Sequence, residues 1–153
     1  MDCSLTVSDA LVVAAVTYRG PAAGVGGAFE HLIRWAEVEH VEQWGPLIAV
    51  YDDAPEGAVE VRCQAWLPIP PGEADRDPGD PRIRIERIEP RTMAACVHRG
   101  FPDEVGRAVE RLALWIGDRG LVRSAPLHRQ IYHEAPPGEP AEWVVEVQVP
   151  VDG

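Results

Sequence analysis

Side chains able to do chemistry are few in this sequence, and one short run gathers three of them. Along Leu127–His133 an apolar, period-two pattern predicts a strand, and His128, Gln130 and Tyr132 fall on one face of it. An imidazole, an amide and a phenol in a row can donate and accept hydrogen bonds, and the phenol adds a ring face that attracts cations. The row contains no carboxylate. Neutral Gln130 can bond a ligand, but it cannot serve as a general base near neutral pH. Glu146, in two-residue phase with Val144 and Gln148, offers a substitute acid, although a solvated strand carboxylate is the simpler reading.

The remaining reactive types give no site of their own. His31, His40, His98 and His133 lack zinc spacing, and the shared face of Cys96 and His98 has no third ligand. His98 matches Tyr18 in the earlier copy of the same stretch and reads as a satisfied strand-end residue rather than a metal ligand. Cys3, Cys63 and Cys96 are sparse and odd in number, as reduced core thiols of a cytoplasmic protein would be. There is no Gly-x-Ser-x-Gly, so a hydrolase triad is not indicated. Gly24-Val25-Gly26-Gly27 opens a helix but lacks the Gly-Lys-Ser/Thr of a phosphate loop. Neither a metal nor a cofactor is called for.

Aromatic residues stand at more telling places. Trp35 and Trp115 flank the apolar stripes of two helices, Tyr51 and Tyr132 end matching strands, and Trp66 and Trp143 lie on the strands that follow. With Phe101, His98, His128 and Gln130 they make the expected ligand-binding set, a groove in which flat cations gain about 0.5–2 kcal/mol per good ring contact. The competing reading is that the rings simply fill the core between sheet and helices.

The elements that position these residues come from a duplication. Ala14–Trp35 (AAVTYRGPAAGVGGAFEHLIRW) and Ala94–Trp115 (AACVHRGFPDEVGRAVERLALW) are identical at ten of 22 positions, and so long a self-match at one fixed offset is the mark of a repeat. In the first copy Cys3–Val7 and Leu11–Tyr18 read as a broken strand ended by Gly20-Pro21. Val25, Ala28, Phe29, Leu32 and Ala36 then give a helix, and strands follow over Leu47–Tyr51 and Val59–Leu67, ending at Pro68. Turns are expected over 52–57 and 135–140. The second copy repeats the order: a strand from Ile83, Thr92–His98, a helix capped by Asp103 and stopped at Arg119-Gly120, Leu127–His133, and Trp143–Val149 closed by Pro150.

The expected fold is α+β: one domain over 1–153 made of tandem strand–helix–strand–strand modules, about 3–69 and 82–151. An exposed, mobile linker over about 70–81 joins them. The sheet would be antiparallel, with both helices on one face and a central groove.

Composition narrows the partners. A formal net charge of −11, with all fourteen basic residues arginine, argues against nucleic acid and for cationic ligands. The N-terminus has no signal-peptide pattern, and no apolar run is long enough to span a bilayer. The chain is expected to be cytoplasmic, monomeric or weakly dimeric, and without room for a helix-turn-helix of its own.

HRGFPDEVGRAVERLALWIGDRG, followed by PLHRQIYHEAP and WVVEVQVPV, resembles the GyrI-like small-molecule-binding domains that serve as effector-binding parts of bacterial multidrug-responsive activators. The similarity runs from about Cys3 to Val151. It implies a duplicated module whose groove takes planar, lipophilic and often cationic compounds. It also implies two alternatives, hydrolysis of cyclopropane-type or other electrophilic natural products and gyrase-inhibitor-like protein binding. The family commonly carries Glu in the strand after its second helix, where this sequence has Gln130, and that puts hydrolysis through this position in doubt.

Overall fold

The computed structural model describes residues 2–53, 59–134 and 142–152. Turn residues 54–57 and 135–140, expected above, lie outside them. The fold is α+β, with nine strands and two helices among the described residues and every described strand pairing antiparallel. The chain divides into two compact units, a middle unit, Asp9–Pro90, and a terminal unit made of the residues up to Ser8 and those from Arg91 on.

In the middle unit, strands β2 (Leu11–Pro21), β3 (Ile48–Asp52), β4 (Glu60–Ile69) and β5 (Ile83–Ile88) lie in the order β5-β2-β4-β3. Helix α1 (Val25–Glu39) covers β2 and β4. The terminal unit has β1 (Cys3–Val7), β6 (Thr92–Gly100), β8 (Leu127–Glu134) and β9 (Trp143–Asp152) in the order β1-β6-β9-β8. Helix α2 (Val105–Asp118) covers β6 and β9, and the short β7 (Val122–Arg123) pairs with the end of β9.

The first strand of each repeat therefore serves the other repeat. Cys3–Val7 was expected to run on into Leu11–Tyr18; instead β1 pairs with β6, and β5 pairs with β2. The crossing is pinned where the two connections pass. Ser8 N–H donates to the Arg91 carbonyl at 2.8 Å, and Arg91 N–H donates to Ser8 Oγ at 3.0 Å. Both β2 and β6 are mostly buried apolar strands and need a partner on each side, which a strand from either repeat supplies equally well.

Each core follows the expected periodicities. Ala14, Val16, Ala65, Leu67 and Ile69 meet Ala28, Leu32, Trp35 and Ala36 of α1. Ala94, Cys96, Val145, Val147, Val149 and Val151 meet Val105, Ala108, Leu112 and Ile116 of α2. Leu32 and Leu112, repeat equivalents, are each fully buried; truncating either to alanine costs about 2–5 kcal/mol.

The helix ends are twins of unequal chemistry. Val41 N–H reaches the Ala36 carbonyl (2.9 Å) and His40 N–H that of Glu37 (3.4 Å); Leu121 reaches Ile116 (3.1 Å) and Gly120 reaches Gly117 (3.1 Å). This is one six-to-one, five-to-two closure made twice. It needs a left-handed residue at its centre, supplied by Gly120 at φ 66° and, unusually, by His40 at φ 56°.

Two local expectations are corrected. Asp103 does not cap α2: it lies in a 3-10 turn, Pro102–Glu104, and Glu104 holds the cap position with no side-chain bond to the helix N–H groups. Pro68 and Pro150 do not end their strands. Their carbonyls accept the N–H groups of Trp44 and Ser124 at 2.9 Å. Each proline's missing N–H thus falls on a side where no ladder partner is lost. The linker is bonded to α1: Trp35 Nε1 donates to the Pro78 carbonyl (2.8 Å), Arg76 to the Glu39 carbonyl (3.1 Å), and His31 Nε2 lies 2.8 Å from Asp80 Oδ2.

Candidate functional site

Register decides which residues of β8 share a face with α2. Gln130 is opposite Val147 and Tyr132 opposite Val145, and both valines belong to the core beneath α2. His128, Gln130 and Tyr132 therefore point to the helix side, as alternation predicts. Because α2 lies over β6 and β9, this row stays half-buried at the uncovered flank. A register shift between Tyr132 and Glu134 ends the alternation beside the row; such bulges re-aim side chains. The Trp143 ring meets Tyr132 edge-on, with centroids 5.9 Å apart at 85°.

The row is internally bonded. Tyr132 Oη–H donates to Gln130 Oε1 at 2.9 Å, and the Gln130 amide donates to His128 Nε2 at 3.1 Å. With Gln130 held so, His128 carries its ring proton on Nδ1. The amide is fixed by both neighbours, and the ring faces of Tyr132 and Trp143 flank one end. Such a surface can stack a flat molecule and offer it oriented dipoles; it has no carboxylate, and the His128 Nε2 lone pair is engaged by the Gln130 amide.

The face away from α2 is different. Glu146 accepts from Gln148 Nε2 at 2.7 Å and lies 2.9 Å from His133 Nε2. It stands opposite Val97 and Ile131, so it does not share the face of Gln130. Arg129 is buried beside Gln148 there, and burial together with the charge of Arg91 pulls its guanidinium down to about 10.

Four of the ten sequence-predicted residues thus come together: His128, Gln130, Tyr132 and Trp143. His98 is buried, with Nε2 3.1 Å from the Phe101 carbonyl, and Tyr18 makes the equivalent bond to the Pro21 carbonyl at 2.6 Å. Phe101 is exposed in the turn that His98 closes. Trp35 is in the core of the middle unit, not at its flank. Trp115 is half-buried under the Arg119 guanidinium at 5.1 Å. Tyr51 faces α1's side, opposite Cys63. Trp66 sits opposite Ala15 and Ile48 on the face away from α1 and donates to Gln64 Oε1 at 2.9 Å. The expected match of Trp66 with Trp143 is therefore corrected: relative to their helices the two rings occupy opposite faces, because Trp143, opposite Gly100, is the register equivalent of Val61, opposite Gly20, and Val61 lies on the other face of its strand from Trp66.

The middle unit adds two hollows that the sequence did not announce. One of about 340 Å³ is lined by His31, Arg34, Trp35, Val38 and Pro78–Asp80. Asp80 there is held below its ordinary value by the Arg82 backbone N–H, with help from the charges of His31 and Arg82. The other, of about 320 Å³, is lined by Thr17, Tyr18, Arg19, Asp52, Arg62, Cys63 and Gln64. Cross-strand register and the folded-back linker create both, and neither is visible as a spacing. Among the described residues no group of three or more His, Cys, Asp or Glu is placed to hold a metal ion, and no helix is long and apolar enough to cross a membrane.

A family model described as the GyrI-like small molecule binding domain matches residues 1–152. The chain belongs to the GyrI-like family. No curated protein matches it. Among solved structures, this GyrI-like chain is similar to the EcmrR C-terminal domain, at 17% identity and a TM-score of 0.79 over 99% of this chain and 97% of that one. It spans 57% of the EcmrR chain in a complex with DNA. A hydrolase from Listeria innocua is similar at 14% identity and a TM-score of 0.63, covering 98% and 91% of the two chains. SAV2435 bound to tetraphenylphosphonium is similar at 10% identity and a TM-score of 0.64, covering 100% and 95%. At these identities the likeness is one of fold.

Proposed function

We propose that this GyrI-like chain binds planar or propeller-shaped lipophilic cations at the uncovered flank of β8 and β9, sequestering them or sensing them for a partner. The observation that carries the reading is the half-buried row His128–Gln130–Tyr132 with Trp143 edge-on beside it. Aromatic faces favour a cation by its attraction to the ring quadrupole, and the chain's −11 charge adds a long-range field of the right sign. Tetraphenylphosphonium, which a relative of similar fold binds, is the natural probe. With no carboxylate in the row, affinity rests on stacking and oriented dipoles, so it belongs in the micromolar range and weakens only mildly with salt.

Hydrolysis is the second reading, favoured by a neighbour of that activity. It is the weaker one, since Gln130 is neutral and Glu146 is engaged on the opposite face. The test is a titration of the chain with tetraphenylphosphonium and with uncharged triphenylphosphine oxide, followed by calorimetry. Preference for the cation, lost in a folded Trp143→Ala variant, is the expected result. Equal binding of both probes, or an unchanged Trp143→Ala, sinks the assignment.

A further inference from the structure

Cys3 and Cys96 are direct cross-strand neighbours. Their Cα atoms are register partners of the β1–β6 ladder, and both side chains turn toward α2, where Cys96 is a core residue and Cys3 packs against that core. The same cross-strand row continues through Val147 to Gln130, so the thiols lie in line with the binding flank, two strands away. Directly opposed residues of an antiparallel pair have Cα atoms about 4.5 or 5.5 Å apart, and both values fall within the range of about 4.4–6.8 Å that a disulfide spans. No backbone movement is needed to join them. Their exposure differs: Cys96 is fully buried, whereas Cys3 is half-buried on an edge strand that has only one neighbour.

We propose that Cys3 and Cys96 are an oxidisable dithiol, closed to a β1–β6 disulfide by a low-molecular-weight disulfide. The Cys3 thiolate attacks the small disulfide, a mixed disulfide forms on Cys3, and one small thiolate leaves. The Cys96 thiolate then attacks the Cys3 sulfur and expels the second. The protein loses two electrons and two protons, and the small disulfide becomes two thiols. The order follows from access, and it agrees with the acidity of Cys96, pushed up to about 12 by burial and by its bond to Cys3. Cys96 is a poor first attacker, but beside a mixed disulfide it acts at the high effective concentration that contact gives. Cys63 is the internal control: it is buried in the other unit, and its thiol is pushed up to about 11 by burial and by Asp52.

The folded chain is incubated with excess oxidised glutathione, quenched by alkylation in denaturant and digested without reduction. The expected product is an intramolecular link between the peptides holding Cys3 and Cys96, two hydrogens lighter than their sum, with Cys63 alkylated. Cys96→Ser should stop at one glutathione on Cys3, and wild type treated with reductant should regain three thiols. Three alkylated thiols after oxidation of the native chain, or a link through Cys63, overturns the proposal. Because the map is made on wild type, it does not depend on any variant folding.

Discussion

Tyr132 offers a way to separate the ring from the hydroxyl at the proposed site. The ring stands edge-on to Trp143 at 5.9 Å, while the hydroxyl donates to Gln130 at 2.9 Å. Tyr132→Phe keeps the ring and deletes one neutral hydrogen bond. At a half-buried position water takes over the freed Gln130 oxygen, so the cost in stability is about 0.5 kcal/mol. Tyr132→Ala removes the face that a cation would cover, and with it an aromatic pair worth about 0.5–1.5 kcal/mol. If stacking carries recognition, tetraphenylphosphonium binding should stay within about twofold in Tyr132→Phe and fall roughly 5- to 150-fold in Tyr132→Ala, the equivalent of about 1–3 kcal/mol. Calorimetric titration of both variants, with circular dichroism to show that each is folded, reads the two numbers directly. Equal losses in the two variants would refute the argument, since the hydroxyl and not the ring would then hold the ligand.

Three further outcomes follow from the geometry. Gly24→Ala would set its Cβ on the Tyr18 hydroxyl that closes the turn, whereas Gly26 and Gly27 have open space; chemical denaturation should show a loss of about 1–3 kcal/mol for the first and a gain of about 0.5–1 kcal/mol for alanine at either of the others. His40→Gly relieves a left-handed residue whose side chain is exposed, and allowing for the greater freedom of glycine in the unfolded chain it should stabilise by about 0.5–1 kcal/mol, a rise of about 1–4 °C in Tm. Asp80→Asn should lower the urea midpoint at neutral pH. The folded value of Asp80 is depressed, first by the Arg82 N–H, so its contribution is present above the unfolded carboxylate value, about 3.9, and fades as pH falls through the folded one. Midpoints of the two proteins should therefore converge in acid; a gap that persists there contradicts the sign.

Periodicity and duplication made most of the elements legible. Val25, Ala28, Leu32 and Ala36 were readable as a helix face, and His128, Gln130 and Tyr132 as one side of a strand, because a local repeat fixes which residues share a face. Strand partnership was not legible. Cys3–Val7 is as good a neighbour for β6 as for β2, and nothing in its pattern distinguishes them. That Trp143 answers to Val61 and not to Trp66 likewise needs the register. The linker's bonds were not legible either: Arg76, Pro78 and Asp80 bond to α1 across long separations that no window of sequence contains.

The exchange of first strands also sets a timetable. The middle unit is contiguous, so every strand of its sheet is available once β5 has been made. Strand β1 leaves the ribosome before the middle unit, but its partner β6 begins 85 residues after β1 ends. At roughly 5–20 residues per second, that is a wait of about 4–17 s. Through that interval an uncharged strand, Cys-Ser-Leu-Thr-Val, has both backbone edges unsatisfied beside a unit that is already folding. A segment made before the middle unit is thus placed only after it, and slowing translation before Thr92 lengthens the time in which it can pair with something else.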